Sequence, residues 1–276
     1  MSGYTSLTIV ASKVCNGTID NLRDDLRSLT LVYDTNLEKI ILPNSLLRLS
    51  IVVGPPRNQI ETRIPDNLLE NLPNNLKILV LNGNFNQRLV NLPNNLRDLI
   101  LDYKFNQPLE NLPESLRYLC LHGAFNQSLD NFPDKLQTLM LGNAFNQKIN
   151  KLPKGLRNLT LRNSFDLKLE NLPYGLRYLT ISNSKLENLP SSLRELNVLS
   201  TPVNGINLNI CRALPELHRL VIDIDLESLV PIIFDVSICV TVDIEEGSAR
   251  ECKITKDIYQ NYGKDEWKKN FCKTLV

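Results

Sequence analysis

The sequence has few of the residues and patterns from which catalytic or metal sites are usually built. Its 276 residues include two histidines, His122 and His218, and six cysteines that form no C-x-x-C pair. It contains no glycine-rich phosphate loop, no nucleophile elbow and no histidine pair at metal-ligand spacing. Cys120 and His122 share one face of a predicted strand, but no third group is placed to orient them. The sequence therefore predicts no enzymatic activity, no cofactor and no metal site.

Strong charge imbalance and long apolar runs are also missing. Thirty-one basic and 30 acidic residues give a formal net charge of +1, so bulk electrostatics provides no case for binding nucleic acid or a membrane surface. No apolar run approaches the roughly 18 residues of a membrane-spanning helix, and residues 1–14 lack the pattern of a secretory signal. Scattered, unpaired cysteines favour reduced thiols. These absences predict a cytoplasmic protein.

What the sequence does contain is a dipeptide at a fixed interval. Leu-Pro, replaced once by Phe-Pro, recurs every 20 residues from residue 72 to residue 172, and again after a shorter step of 17 at residue 189. A fixed period of 20–29 residues is typical of a leucine-rich solenoid, in which each coil buries its apolar edge only against its neighbours. The sequence thus predicts a scaffold built from stacked coils.

Each repeat also predicts the structure of its own coil. An L-x-x-L-x-L triple follows every Leu-Pro, as at Leu76, Leu79 and Leu81, and its last two members alternate as the inward positions of a short strand do. Stacked strands would form one parallel concave sheet. The rest of each repeat carries Pro and several Asn, which disfavour a helix. The predicted fold is therefore an α/β-type repeat solenoid, mostly β, with a helix-poor convex side and gentle curvature.

Other residue types recur at the same period and form columns in the stacked coils. Core packing is the expected role of an aromatic column at Phe85, Phe105, Phe125, Phe145 and Phe165. Polar columns at Asn86, Asn106, Asn126 and Asn146, and at the glutamines that follow them, are expected to satisfy peptide groups of irregular backbone. A similar column at Asn111, Asn131, Asn171 and Asn188 precedes Leu-Pro. Basic residues from Lys77 to Arg194 and acidic residues from Glu110 to Glu187 are expected to form an exposed charge network.

The regularity of the repeat divides the chain into three predicted parts. Residues 1–71 contain degenerate repeats and an N-terminal cap, with a strand at Leu7–Ile9 and an extended loop between Ile51 and Leu72. Residues 72–198 are the regular repeats. Residues 199–276 contain one degenerate coil and a C-terminal cap with a strand at Phe234–Ile244 and a short helix within residues 254–274.

The residues between the inward leucines point from the concave face and vary in size and charge, which the coil does not require. The middle column is apolar in four consecutive coils, from Val80 to Met140. An apolar stripe edged by polar groups, rich in Tyr and Met, is typical of an interaction surface, although unconstrained variation at solvent-exposed positions would also produce it. The predicted binding residues are Ile78, Val80, Ile100, Tyr118, Cys120, His122, Met140, Arg162 and Tyr178.

The coil unit resembles the FNIP repeat, a leucine-rich-repeat variant named for its Phe-Asn-(Ile/Gln)-Pro signature. Phe105, Asn106, Gln107, Pro108 and Leu109 match that signature, and the similarity is specific over residues 72–171. The family is familiar from amoebae and from the giant viruses that infect them, which would place this chain in a virion or in host cytoplasm. In that family an F-box often precedes the repeats. Residues 1–21 are too short for one, so the resemblance implies target recognition without ubiquitin-ligase coupling.

Two functions of different classes follow. In the favoured hypothesis the protein is a non-enzymatic scaffold that binds a protein partner on its concave sheet, as a monomer or with weak self-association. In the alternative it is a self-assembling structural component, for example of a virus particle, that packs through the edges or ends of the solenoid. No nucleic acid or membrane partner is expected, and the sequence does not identify the protein partner.

Overall fold

The computed structural model describes the repeats and parts of both flanking segments. The described residues are 5–11, 18–19, 21–33, 39–54, 64, 66–129, 131–149, 151–162, 172–182, 188–199, 214–217, 219–224, 238–242 and 250–254. The chain forms two compact units, residues 1–155 and 156–276, and the regular repeats contribute to both.

The first unit is built on a parallel sheet with one strand per coil. Its strands lie side by side in the order β1, β3, β5, β6, β7, β8, β9, and their bounds are β1 Ser6–Ala11, β3 Ser28–Tyr33, β5 Arg48–Val53, β6 Ile78–Gly83, β7 Asp98–Leu101, β8 Tyr118–Leu121 and β9 Thr138–Leu141. From β6 to β9 the paired residues are 20 positions apart, so Leu79 pairs with Leu99 and Leu99 with Leu119. The predicted parallel solenoid is confirmed.

The second unit is also built on parallel strands, but its last strand is antiparallel to its neighbour. Its strands are β10 Asn158–Leu161, β11 Tyr178–Ile181, β12 Glu195–Val198, β13 Arg219–Ile224, β14 Ile238–Val242 and β15 Arg250–Ile254. Strands β10 to β14 are parallel, whereas β15 pairs with β14 in antiparallel fashion. The degenerate coil predicted after residue 200 is therefore present as β13, and the predicted strand at Phe234–Ile244 is present over the bounds of β14. The sequence pattern did not indicate β15.

The inward leucines and the phenylalanine column form the core. Leu76, Leu79 and Leu81 are fully buried, and the corresponding triples of the other regular coils are at most 5% exposed. The rings of Phe85, Phe105, Phe125 and Phe145 stack in parallel with centroids 5.7, 6.0 and 6.2 Å apart. Each ring therefore covers the next coil's ring, which confirms the core role of this column. Phe165 lies outside the described residues.

A turn at Leu-Pro brings the chain into each strand. In the regular coils the amide of the first leucine donates to the proline carbonyl three residues earlier, as from Leu96 to Pro93 at 3.0 Å. The next two amides, those of Arg97 and Asp98, both donate to the Lys77 carbonyl, at 2.8 and 3.0 Å. One carbonyl of the preceding coil thus accepts two bonds and fixes the register before the strand begins.

The connections opposite the sheet contain little regular structure among the described residues. Two short strands, β2 Thr18–Ile19 and β4 Lys39–Ile40, pair in parallel. A five-residue helix, α1 Asp66–Glu70, lies within the segment where an extended loop was predicted. That loop prediction was therefore wrong for residues 66–70, where Leu68 and Leu69 are buried and a single helical turn is enough to turn both inward.

The asparagines before Leu-Pro have a different role from the one expected. Asn91, Asn111, Asn131 and Asn188 adopt positive φ values between 54° and 62°. Asparagine tolerates this left-handed conformation better than most residues with a Cβ atom. The left-handed turn of the backbone therefore accounts for asparagine at these positions, in place of the hydrogen-bond ladder that the sequence pattern suggested. Asn171 lies outside the described residues.

The Phe-Asn-Gln column does form the predicted ladder. The Oδ1 atom of each asparagine accepts the backbone amide of the asparagine in the next coil: Asn86 from Asn106 at 2.8 Å, Asn106 from Asn126 at 2.9 Å, and Asn126 from Asn146 at 2.7 Å. The same oxygens accept the side-chain amides of Gln107, Gln127 and Gln147 at 3.1–3.2 Å. One side-chain oxygen per coil thus bonds to two groups of the next coil.

Removing one member of this ladder is expected to lower stability moderately. Asn126→Leu deletes the acceptor for two donors, and because Asn126 is half-buried and water reaches the donors, the loss should be about 1–2 kcal/mol. Asn126→Asp is the matched control, since a carboxylate keeps the acceptor. Chemical denaturation of both variants measures the effect, and equal stability of the leucine variant and the wild type would show that the ladder contributes nothing.

The predicted charge network is not formed by the described residues. Glu110 pairs with Arg88 at 2.9 Å, outside the basic column, and both side chains are exposed. Within that column, Arg194 pairs with Glu216 at 3.3 Å. The acidic positions Asp130, Glu170 and Glu187 lie outside the described residues. Isolated exposed pairs of this kind contribute little to stability, so packing and the ladder hold the coils together.

The final segment of the chain is described only as far as β15. Cys252 and Ile254 belong to that strand, whereas Trp267 and Phe271, and with them the predicted C-terminal helix, lie outside the described residues. None of the described helical residues forms a segment long and apolar enough to cross a membrane.

Candidate protein-binding surface

The face of the sheet opposite the core presents three columns of side chains in the first unit. We call the part on β6 to β9 the outward face. Strand pairing aligns Ile78, Asp98, Tyr118 and Thr138 in the first column and Val80, Ile100, Cys120 and Met140 in the second. Strand alternation places these residues between the buried leucines. Six of the seven predicted binding residues of this unit thus belong to these two columns, and the seventh, His122, follows the end of β8.

The second column changes character along the first unit. In β1, β3 and β5 its positions hold Thr8, Thr30 and Ser50, which pair in succession with one another and then with Val80. From Val80 to Met140 the same column is apolar. The strands on both sides of this change have the same inward leucine pattern, so coil geometry does not require the apolar residues. The stripe is a local feature of the outward face.

The side chains of the stripe differ in exposure. Val80, Ile100 and Met140 are half-buried, whereas Cys120 is only 5% exposed. The Tyr118 hydroxyl donates to the Met140 Sδ atom at 3.0 Å, across two neighbouring strands. Tyr118 precedes Cys120 by two residues and Met140 pairs with it, so this bond holds two neighbours of the thiol in place. Burial, followed by the influence of Cys120 and Asp98, raises the pKa of the Tyr118 phenol. At neutral pH Tyr118 is therefore a neutral donor.

The pair that could have suggested nucleophilic chemistry, Cys120 and His122, lies at the end of β8. His122 follows β8 on the same face as Cys120, as predicted. Its Nε2 atom is buried and has no hydrogen-bond partner among the residues that the structure describes. The neighbouring position in the next coil is Gly142, which contributes no side chain to orient the ring. Within the described part of the chain, no group of three His, Cys, Asp or Glu residues could hold a metal ion.

The two remaining predicted residues lie in the second unit. Arg162 is exposed and follows β10, and Tyr178 begins β11 with 40% of its surface exposed. The second-column positions in this unit are Thr160, Thr180, Asn197, Val221 and Cys239, which pair in succession. Asn197 donates to the Thr180 hydroxyl at 3.3 Å. The column is thus polar on β10 to β12, unlike the four apolar positions on β6 to β9.

Asp98 is the charged residue in the two columns of the outward face, and the predicted set of binding residues omitted it. It lies in the first column between Ile78 and Tyr118 and is half-buried. Burial raises the pKa of its carboxyl group, although the nearby cations Arg97 and Arg48 oppose this rise. Among the described residues, its carboxylate forms no ion pair and accepts no hydrogen bond. A signal in the sequence could have identified it, because it is the one acidic residue in the first column of β6 to β11.

Comparison with known families locates the repeats. The FNIP Repeat model matches residues 66–104, 88–124 and 105–144. These segments together contain β6 to β9, the phenylalanine stack and most of the asparagine ladder. A search of curated proteins gave no match.

Two solved structures are similar to this chain. CroV588, from the giant virus CroV and described as a novel circular leucine-rich-repeat protein, matches with 28% identity and a TM-score of 0.58 over 80% of this chain. This chain spans 34% of the length of CroV588. YopM from Yersinia enterocolitica matches with 21% identity and a TM-score of 0.44, covering 74% of this chain and 56% of YopM.

The family match and the similarity to CroV588 agree with the solenoid of parallel strands. The family match contains the coils in which the Phe-Asn-Gln residues form their contacts, and CroV588 shows the same class of solenoid. The predicted resemblance is thus confirmed: residues 66–144 carry FNIP repeats on a leucine-rich-repeat scaffold.

Proposed function

We propose that this protein is a non-enzymatic scaffold that binds a protein partner through the outward face. The observation that carries the proposal is the change in the second column, from Thr8, Thr30 and Ser50 to four consecutive apolar residues. Contiguous exposed apolar surface costs solubility and is typical of binding sites. The FNIP repeats and the similarity to CroV588 favour a partner in a virus-infected cell, either host or viral.

The surface also has the composition of an interface centre. Tyr118 and Met140 belong to residue types that are enriched where proteins meet. Their mutual hydrogen bond holds both side chains in one arrangement, so less conformational entropy is lost when a partner binds. Charged and polar groups lie around the stripe, including Asp98, Asp102 and Arg48, and would form the rim.

Two lysines on the stripe are expected to abolish binding without unfolding the protein. Ile100→Lys with Met140→Lys changes two half-buried outward side chains and leaves the inward leucines intact. Affinity capture from the native host cell should recover a partner with the wild type and lose it with this variant. Val90→Lys with Ala144→Lys, at exposed positions off the outward face, adds the same charge and should still capture it.

The melting temperature of each variant separates lost binding from lost folding. A folded Ile100/Met140 variant that captures the same partner as the wild type would overturn the proposal. An insoluble variant would show that these side chains belong to the core, which would contradict it equally.

One observation favours the alternative of self-assembly. Leu7 and Val10 of β1 are 39% and 66% exposed, and among the described strands β1 pairs with β3 alone. An open strand edge with apolar side chains can pair with another chain. Oligomers that grow with concentration in light scattering would favour this role, whereas a monodisperse monomer would favour partner binding.

A further inference from the structure

We infer that the outward face recognises a basic side chain, a lysine or an arginine, which the partner would place on Asp98 beside Tyr118. This inference rests on the proposed function and names the chemistry of the partner segment. It is carried by the position of Asp98, by the absence of any internal partner for its carboxylate among the described residues, and by the apolar and aromatic groups around it.

Asp98 lacks the internal contacts that a half-buried carboxylate usually has. Arg97 precedes it in sequence and Arg48 lies two strands away, which is about 10 Å at ordinary strand spacing. Both arginines act to lower the pKa of the Asp98 carboxyl group. Among the described residues, neither forms an ion pair with it. Of the other two acidic residues of the same coil, Asp102 accepts the Tyr103 amide at 2.6 Å and so caps a turn, and Glu110 pairs with Arg88 at 2.9 Å. Asp98 is therefore the carboxylate of this coil that remains available to a ligand.

The neighbours of Asp98 suit the rest of a basic side chain. Ile78 and Ile100 offer apolar contact to an aliphatic stem, which lysine and arginine bury along apolar surface. Tyr118 pairs with Asp98 on the next strand, so an aromatic side chain is the neighbour of a cation held by the carboxylate. Such a ring favours a cation within about 6 Å of its centre. The bond to Met140 restrains that ring. The Asp98 carboxylate and the Tyr118 ring suit an ammonium or guanidinium group, and the apolar side chains of Ile78 and Ile100 suit the aliphatic stem that carries it.

Asp98 should reduce the stability of the free protein. Because its folded-state pKa is raised, the folded chain binds the proton more tightly than the unfolded chain does. Its contribution to stability is fully present below the ordinary aspartate pKa and is lost as the pH rises through the raised value. Asp98→Asn should thus raise the melting temperature at neutral pH. A residue that costs stability in the free chain is the kind expected where a ligand supplies the missing partner.

Peptide selection tests the inference with a defined probe. A phage-displayed library of random 12-residue peptides is selected on the immobilised full chain at pH 7, and the recovered peptides are synthesised for affinity measurement. We expect enrichment of Lys or Arg next to apolar residues, and a loss of affinity of about tenfold or more for Asp98→Asn. Asp134→Asn, which removes the same charge at an exposed turn, should change affinity less than about twofold.

The variants distinguish failure of the inference from failure of the proposed function. Peptides that lose binding to the Ile100/Met140 lysine variant yet bind Asp98→Asn as tightly as the wild type would overturn the basic-residue inference alone. Peptides that bind the lysine variant unchanged, or a selection that recovers none on this face, would overturn both. Unchanged or higher melting temperatures for Asp98→Asn confirm that any loss of affinity is not a loss of folding.

Discussion

Replacing Phe125 with alanine is expected to lower the free energy of unfolding by about 3–5 kcal/mol. The ring is 1% exposed and stacks on Phe105 at 6.0 Å and on Phe145 at 6.2 Å. Its loss would leave a cavity between two coils and remove one ring contact from each. The neighbouring coils cannot move together to close the gap, because strand pairing and the asparagine ladder fix their spacing. Chemical denaturation followed by circular dichroism measures the effect.

A matched change at the surface provides the control. Tyr174 is 93% exposed, and its backbone carbonyl accepts a bond from the Ser192 hydroxyl. Tyr174→Ala removes an aromatic ring of similar size and should change stability by less than about 0.5 kcal/mol. If Phe125→Ala and Tyr174→Ala had equal effects, the phenylalanine column would not be the core of the first unit.

Replacing Gly123 with alanine is the second change with a large expected effect. Its φ of +64° is unfavourable for a residue with a Cβ atom, and that atom would lie 2.1 Å from the Tyr103 carbonyl oxygen. The Tyr103 carbonyl oxygen cannot easily move away, because it also accepts the Ala124 amide at 2.8 Å. We expect a loss of about 3 kcal/mol or more, from left-handed strain together with displaced backbone. Thermal and chemical unfolding both measure it.

Two other positions distinguish the sources of this effect. Gly175→Ala should be neutral, since a Cβ atom there meets nothing within 4 Å and the residue has no positive φ. Tyr103, one coil before Gly123, has a φ of +65° and an exposed side chain. Tyr103→Gly should therefore leave stability unchanged or raise it, because it relieves the strain of a left-handed residue. A harmless Gly123→Ala would show that this turn is not as tightly packed as the structure indicates.

The parts of the fold that could be predicted from the sequence are the positions at which the same residue type has the same role in every coil. Leucine at the inward positions and phenylalanine behind them repeat at a fixed period because each coil packs on an identical neighbour. The Phe-Asn-Gln ladder was predictable for the same reason, since Asn106 and Asn126 must satisfy equivalent backbone groups. Strict repetition in a solenoid therefore reports directly on contacts between coils.

The features that the sequence did not predict depend on backbone angles or on single coils. Asn111 and Asn106 look alike as repeated asparagines, yet one adopts a positive φ and the other accepts hydrogen bonds. Helix α1 and strand β15 each occur once, so no period marks them. The burial of Cys120 results from its neighbours Tyr118 and Met140, which are particular to that pair of coils. Asp98 is likewise particular to one coil, and its carboxylate has no hydrogen-bond or ion-pair partner among the described residues.

The apolar stripe was predictable in outline, because an apolar column at outward positions contradicts the solvent exposure that strand alternation implies. The position at which the stripe begins could not be predicted. Thr8, Thr30 and Ser50 align with Val80 through strand pairing, and the irregular segment before residue 72 interrupts the period that would show this alignment in the sequence. The strand register across such a segment is visible in the paired strands of the sheet.

The chain has two methionines, Met1 and Met140, which makes methyl resonances the most direct test of the outward face. In protein labelled at the methionine methyl carbon, the partner recovered by the wild type is added, and Met140→Leu assigns the signals. The account predicts that the Met140 methyl signal shifts or broadens on binding and is broadened in the free protein by a soluble paramagnetic agent. A Met140 signal that stays unchanged while the partner is bound would contradict binding at this face.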